Sequence, residues 1–472
     1  MRAPSRYNAS TAHLDLGTRF FQPVPAAQFP RHDLRFRNQR WAHHIGLDQL
    51  SDEDWTAHFA KFKALPDSLP EPIALAYHGH QFRHYNPDLG DGRGFLFAQL
   101  RAPDDGRLLD LGTKGSGRTP WSRGGDGKLT LKGAVREILA TEMLEALGVD
   151  TSKTFSVVET GEALTRGDEP SPTRSAVLVR LSHGHVRIGS FQRHAYLEDL
   201  DAIETLARHA ANHYLPDVNA DAPMAELAVA LVAQVVRNTA ATAADWTAAG
   251  FVHGVLNTDN INITGESFDY GPWRFMDQMD PNFTAAYFDD FGLYAFGRQP
   301  EAVLWNVSRL AECFAPFAAE QDLSNALSEF DDAFNTALNT ALTRRLGITA
   351  QDGKRLELGH RLFPAMAKAA LNGVKFEQLF FDCYGGGASA RKDIARKTYA
   401  DTALEKLVRD LATCAPADGV DPDHVYFQNN QPCTMLIDEV EHIWDAIAQN
   451  DDWSRLDEKL KSIAEMRGAY EL

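Results

Sequence analysis

Cysteine is scarce in this chain: four in 472 residues, at 313, 383, 414 and 433, with no C-x-x-C pair among them. That spacing argues against a zinc ribbon or a disulfide framework and makes a reducing, cytoplasmic setting the expectation. Long apolar runs are also missing. The most apolar stretch, residues 227–236, is interrupted by Gln234 and falls short of the ~18 residues that cross a bilayer. It reads as a buried helix, and no membrane contact is expected. Residues 1–30 hold two early arginines but no continuous apolar core, so a secretory signal is not expected either. Positive charge is in the minority. Against 65 Asp and Glu stand 47 Lys and Arg, a net charge of −18, which argues against nucleic acid or an anionic surface as partner. No internal repeat or low-complexity tract is present, and a monomer is expected.

The richest stretch is residues 253–260, His-Gly-Val-Leu-Asn-Thr-Asp-Asn, followed by Asp269-Tyr270-Gly271. A protein kinase carries H-R-D-x-x-x-x-N, whose Asp takes the substrate proton and whose Asn binds metal, and then D-F-G, whose Asp holds Mg²⁺. His253 and Asn260 keep that spacing, and Asp269 stands at the metal-binding position. The base is gone: Val255 replaces it, while a new carboxylate, Asp259, stands beside Asn260. Upstream, Gly90-Asp91-Gly92-Arg93-Gly94 is a glycine-rich turn through which backbone N–H groups can approach phosphate. Taken alone it is a weak signal, more often only a hairpin turn. Lys114 ends a strand-like run. Glu137 follows on a helix predicted over residues 131–147, where Val135, Ile138, Leu139, Met143 and Leu147 recur at helical spacing before Gly148. Gly loop, strand lysine and helix glutamate stand in kinase order, and a Lys–Glu pair would hold the lysine on phosphates.

With these motifs the chain resembles the SelO (selenoprotein O, YdiU) family of kinase-like proteins that transfer AMP. The resemblance runs through residues 77–82, 89–94, 114–127, 179–189 and 253–272, then 299–306, and is looser in the last third. It implies an α+β, bilobal protein-kinase-like fold, with an N-terminal wrapping segment (1–75), an N-lobe (76–192), a C-lobe (193–375) and a C-terminal helical extension (376–472). By the same resemblance Gly90, Gly92 and Arg93 contact the nucleotide, as do Lys114, Asp126, Gly127, Arg180 and Arg187. Asp259 is the catalytic base, and Asn260 and Asp269 bind Mg²⁺ or Mn²⁺. The implied activity is protein adenylylation: AMP passes from ATP to a Ser, Thr or Tyr hydroxyl of a protein, and pyrophosphate leaves. In the family the nucleotide lies inverted relative to a kinase, with Arg180 and Arg187 at the buried γ-phosphate. The rival readings are a γ-phosphate kinase, weakened by Val255, and a nucleotide-sensing scaffold, weakened by the retained Asn260 and Asp269. Relatives carry a cysteine soon after D-Y-G and another in a C-terminal tail; no cysteine follows Cys433 here, which puts thiol control in doubt.

Arg118, Arg123, Lys128, Lys132 and Arg136 add a basic cluster among the phosphate motifs. His78, His80 and His84 lack further ligands at metal spacing and read as support for the glycine-rich loop. Asp277 and Asp280 read as braces after D-Y-G. A hinge is predicted near residues 192–198, and helices over 203–214, 224–243, 301–318, 323–346, 357–370, 402–411, 437–448 and 453–463. A short hairpin is expected at 261–263 and 267–268, and a mobile loop at 376–400.

Overall fold

The computed structural model describes residues 6–167 and 169–470. Its strands, in chain order, are β1 (Phe21–Pro23), β2 (Asp33–Arg37), β3 (Ile73–Leu75), β4 (Gly79–Gln81), β5 (His84–Asn86), β6 (Leu96–Arg101), β7 (Leu108–Lys114), β8 (Lys153–Leu164), β9 (Thr173–Ser182), β10 (Phe251–His253) and β11 (Trp273–Phe275). The main sheet runs β1-β3-β6-β7-β9-β8-β2, antiparallel throughout, with two-residue strands Ala9–Ser10 and Leu129–Thr130 at its sides. Strands within residues 21–37 thus supply both ends of the sheet.

Alternation along the strands sorts the core. In β9, Ala176 and Leu178 belong to the cluster that includes helix α1 (Leu131–Ala146), while Val177, Val179 and Leu181 belong to the one around Trp55, Phe59 and Phe155. Helix α1 starts at Thr130, whose hydroxyl accepts from Gly133 N. It buries Val135, Ile138, Leu139 and Met143 as the periodicity requires.

The remaining helices used below are α2 (Ile188–Tyr196), α3 (Leu200–His213), α4 (Met224–Ala248), α5 (Gln299–Glu312), α6 (Glu320–Ser328), α7 (Phe330–Arg345), α8 (Phe376–Cys383), α9 (Lys392–Thr398), α10 (Ile437–Asn450) and α11 (Ser454–Tyr470). Helix α4 runs 25 residues and is, among the described residues, the one helix long and apolar enough to cross a membrane. It packs instead between α3, α5, α6 and α7. Burial of Leu227, Leu231, Val232, Val235 and Val236 is worth about 1.5–3 kcal/mol each before entropy is counted.

Four expectations give way. Residues 192–198 are largely helical rather than an open linker: 192–196 lie in α2, where Ile188 and Phe191 are buried and Gln192 and Arg193 are engaged by histidines, and the chain turns at Glu198 (φ +54°). Residues 323–346 form two helices, α6 and α7, that meet at Glu329. The hairpin at 261–268 does not pair with itself. Asn262 bridges to Arg187 and Ser267 to Thr151, while the ladder closes further out, Phe251 opposite Phe275 and His253 opposite Trp273. Residues 376–400 are largely helical (α8 and α9), with Phe376, Leu379, Phe380 and Phe381 buried. Gly385 and Gly386 there hold positive φ in a tight turn, so the glycines mark geometry rather than mobility.

Candidate active site

Residues 258–260 form one 3-10 turn after β10, and the segment in front holds it in place. The Thr258 hydroxyl accepts from His80 N at 2.7 Å. Asn257 Oδ1 accepts from Phe82 N at 3.0 Å and from the Tyr294 hydroxyl at 2.9 Å. The β4–β5 hairpin is in turn pinned to α2. Gln192 Nε2 donates to His80 Nδ1 (2.7 Å), and Arg193 Nη1 donates to His78 Nε2 (2.9 Å). His78 and His80 are thus occupied by protein partners, and His84 is exposed. His78 and His80 support the turn that carries Asp259 rather than the glycine-rich loop. Asp277 pairs with Lys375, and Asp280 accepts from Asn282 N (2.9 Å), so both are braces as expected.

Asp269 is the hub. It sits at φ +62°, and its carboxylate accepts from Lys114 Nζ (2.8 Å), Asn260 Nδ2 (2.9 Å) and Arg180 Nη2 (3.4 Å). Lys114 also pairs with Glu137, so strand β7 and helix α1 meet at one buried ammonium. Burial alone would raise the Asp269 carboxyl, but Lys114, Arg180, Arg93 and Arg187 together hold it well below the usual range, and it is ionised. Asp259 goes the other way. Burial pushes it up to about 6; Arg187 opposes this, and the Asp269 charge reinforces it. Its Oδ1 is buried without a hydrogen-bond partner. Two carboxyls in one site are therefore driven apart in pKa, the pattern that separates a proton acceptor from a permanently charged ligand.

Arg187 fixes the backbone beneath Asp259. Its Nη1 donates to the Asp259 carbonyl (3.0 Å) and Nη2 to Asp91 Oδ1 (3.3 Å), with the guanidinium 4.3 Å from the Tyr77 ring centroid. Lys114, Arg180 and Arg187 are all buried.

In front of them opens a cleft of about 730 Å³. Arg93, Arg118, Arg123, Lys128 and Arg166 line it, together with Asp126, Asp259, Asn260 and Asp269. Its glycines have a packing reason that the sequence did not reveal. A Cβ on Gly90 would lie 2.3 Å from the Trp121 indole, and one on Gly92 would lie 2.8 Å from the Trp121 carbonyl oxygen. Gly127, at φ +69°, stacks on Gly117, where a Cβ would come within 2.2 Å. The 90–94 and 117–127 segments thus interleave through missing side chains. Ser122 Oγ seals them by donating to the Gly92 carbonyl (2.5 Å).

Sequence reasoning missed Arg166 and Trp121. Arg166, on the connection from β8 to β9, grips Asp126 at 2.8 and 3.1 Å; no motif marks it. It also included Lys132 and Arg136 in the basic cluster, but both turn away from the cleft toward Glu441. Among the described residues no cluster of three or more His, Cys, Asp or Glu side chains forms a metal cage. Asn260 and Asp269 offer an amide oxygen and an ionised carboxylate at the cleft wall. That donor set suits a hard divalent ion whose shell is completed by phosphate oxygens and water.

A cation-lined cleft of nucleotide size, with an ionised carboxylate beside one whose pKa is raised, is the kind of site that suits an enzyme acting on a polyphosphate substrate. The chain belongs to the SelO family, whose model, described as protein adenylyltransferase SelO, matches residues 5–464. It is similar to proteins named protein nucleotidyltransferase YdiU from several bacteria. Identity is 39% to that of Synechocystis sp., over 95% of this chain and 96% of the relative. It is 41% to that of Gloeobacter violaceus, over 94% and 92%, and 48% to that of Synechococcus elongatus, over 72% and 68%.

Proposed function

We infer that this chain is a protein adenylyltransferase of kinase-like, bilobal build, with ATP bound in the cleft and AMP delivered to a protein hydroxyl. The observation that carries this reading is the placement of the two aspartates. The kinase base position is Val255, which cannot take a proton, while Asp259 lines the cleft with its carboxyl raised to about 6. A group of that kind is half-deprotonated near pH 6 and accepts a proton readily at neutral pH.

In the reaction proposed, a Ser, Thr or Tyr hydroxyl gives its proton to Asp259 as its oxygen bonds to the α-phosphorus. The α–β bridging bond breaks and pyrophosphate leaves. Arg93, Lys114, Arg180 and Arg187 supply fixed positive charge against the phosphate chain and the leaving group. Glu137 keeps Lys114 from collapsing wholly onto Asp269. Arg166 holds Asp126 in place for contact with the nucleotide. Asn260 and Asp269 would hold a divalent ion, Mg²⁺ or Mn²⁺, which when bound neutralises phosphate oxygens. The compartment proposed is the reducing cytoplasm, supported by four buried, unbridged cysteines.

The deciding experiment supplies ATP labelled at either the α- or the γ-phosphate. Label on protein from the α position alone is the expected outcome. Label from γ alone would make the chain a kinase, and label from neither a nucleotide-binding scaffold.

A further inference from the structure

Helix α1 carries Glu137 on its cleft side and Lys132 and Arg136 on another. Lys132 Nζ lies 2.7 Å from Glu441 Oε2 on α10, and Arg136 Nη1 lies 3.9 Å from Oε1 of the same residue. Arg136 continues the connection: its Nη2 donates to the Trp273 carbonyl (3.3 Å), and its guanidinium lies 4.8 Å from the indole centroid. Trp273 opens β11, four residues after Asp269. The neighbouring Arg274 also feels the Glu441 charge. The far end of α10 is tied to the sheet. Arg174, on the strand that carries Arg180, donates to the Ile447 carbonyl (3.0 Å) and to Asp451 (2.7 Å). Helix α11 adds one more tie to α1, from Arg467 to Glu142 at 2.5 Å.

One surface helix thus touches the elements that present Glu137 and Arg180, and through Arg136 it reaches the strand that follows Asp269. We propose that α10 is a strap that sets the position of α1, and that Glu441 is a positioning residue acting through Lys132 and Arg136 to keep Glu137 on Lys114. Lys114 has two carboxylate partners, Glu137 and Asp269. If α1 moves outward, Lys114 is left to Asp269 and its position on the phosphates changes. Glu441 is 39% exposed and lines no part of the cleft, so its influence is electrostatic and travels through the helix. The inference rests on the adenylyltransferase reading only for the reaction it tunes.

The test is charge reversal, Glu441→Lys, alone, with Lys132→Glu, and on a Glu137→Ala background. Three quantities are measured: amide exchange of residues 131–146 without ligand, ATP·Mg²⁺ affinity by calorimetry, and transfer from α-labelled ATP. Glu441→Lys should speed exchange in α1 and lower affinity and transfer, each by roughly three- to tenfold, the range open to a few partly exposed ion pairs. The thermal midpoint should hold within about 2 °C, since exposed pairs add little global stability. Lys132→Glu should restore much of the loss, and on Glu137→Ala the reversal should cost no further ATP affinity. Unchanged exchange and affinity in Glu441→Lys would overturn the proposal. So would an undiminished extra loss on Glu137→Ala, or a collapse of the thermal midpoint that Lys132→Glu does not repair. Absence of α-label transfer by the unaltered protein would instead defeat the adenylyltransferase reading, and the exchange and affinity measurements would still decide the strap.

Discussion

Asp259 and Asp269 are ten residues apart and identical in side chain, yet their surroundings give them opposite protonation behaviour. Two measurements follow for Asp259. If Asp259 is the base, as proposed, transfer efficiency should fall about tenfold per pH unit below about 6 and level off above it, because a base must be ionised to act. Asp259→Ala should lower turnover by roughly 10²–10⁴-fold while calorimetric ATP·Mg²⁺ binding stays near that of the unaltered protein. Asp269→Ala should lose both. Stability carries a second signature. A carboxyl whose folded value is raised binds its proton more tightly folded than unfolded, so its penalty accumulates from the ordinary 3.8 up to about 6 and is constant above. Asp259→Asn should therefore stabilise the fold by about 1–3 kcal/mol at pH 7.5 and by less at pH 4.5, read from denaturant midpoints. Asp269, Asn260 and Lys114 were legible because kinase spacing marks them, whereas Asp259 was assigned its role only by the family resemblance. Arg166 was not, because its role comes from a turn that brings it to Asp126 40 residues upstream.

Elements explain why single glycines and one glutamate matter. Gly90 faces the Trp121 ring, so Gly90→Ala should push the 117–127 segment outward and weaken ATP binding by tenfold or more, the weight of about 1.4 kcal/mol. Adding Trp121→Ala should recover part of that affinity; if it does not, the glycine serves the phosphate directly. For α1, Glu137→Ala should lower AMP transfer at least tenfold, about 1.4 kcal/mol of transition-state stabilisation. Both side chains of the pair are buried, 6% and 2% exposed. Removal of one partner of such a pair is usually costly, but here Lys114 keeps Asp269. A fall of several degrees in thermal midpoint is expected, without unfolding at 25 °C. Glu137→Gln should lose activity with a smaller fall.

Across the whole molecule the thiols give the simplest check. All four cysteines are buried and free. Burial raises each thiol, that of Cys414 to about 11, so little thiolate is present at neutral pH. Fewer than one thiol per chain should react quickly with a disulfide reagent in the native protein, and four after denaturation. Activity should be the same before and after mild oxidation. Fast native labelling together with loss of activity would restore a redox role.

The sequence by itself determined which candidate site residues occur and in what order: the loop glycines, Lys114, Glu137, the Asp259–Asn260 pair and Asp269. It also determined most helices, because spacing and periodicity are local properties of the chain. Only tertiary structure decided what those parts rest on. Residues 21–23 and 33–37 became the two ends of the sheet, since strand partners are chosen across long separations that no periodicity records. Residues 261–268 failed to pair with each other because Asn262 and Ser267 found partners more than 70 and 110 residues upstream. The glycines of 376–400 marked a turn between buried helices, a distinction set by neighbours and not by composition. The pKa of Asp259 is likewise a property of its burial and of Arg187 and Asp269 nearby, which exist only once the chain has folded.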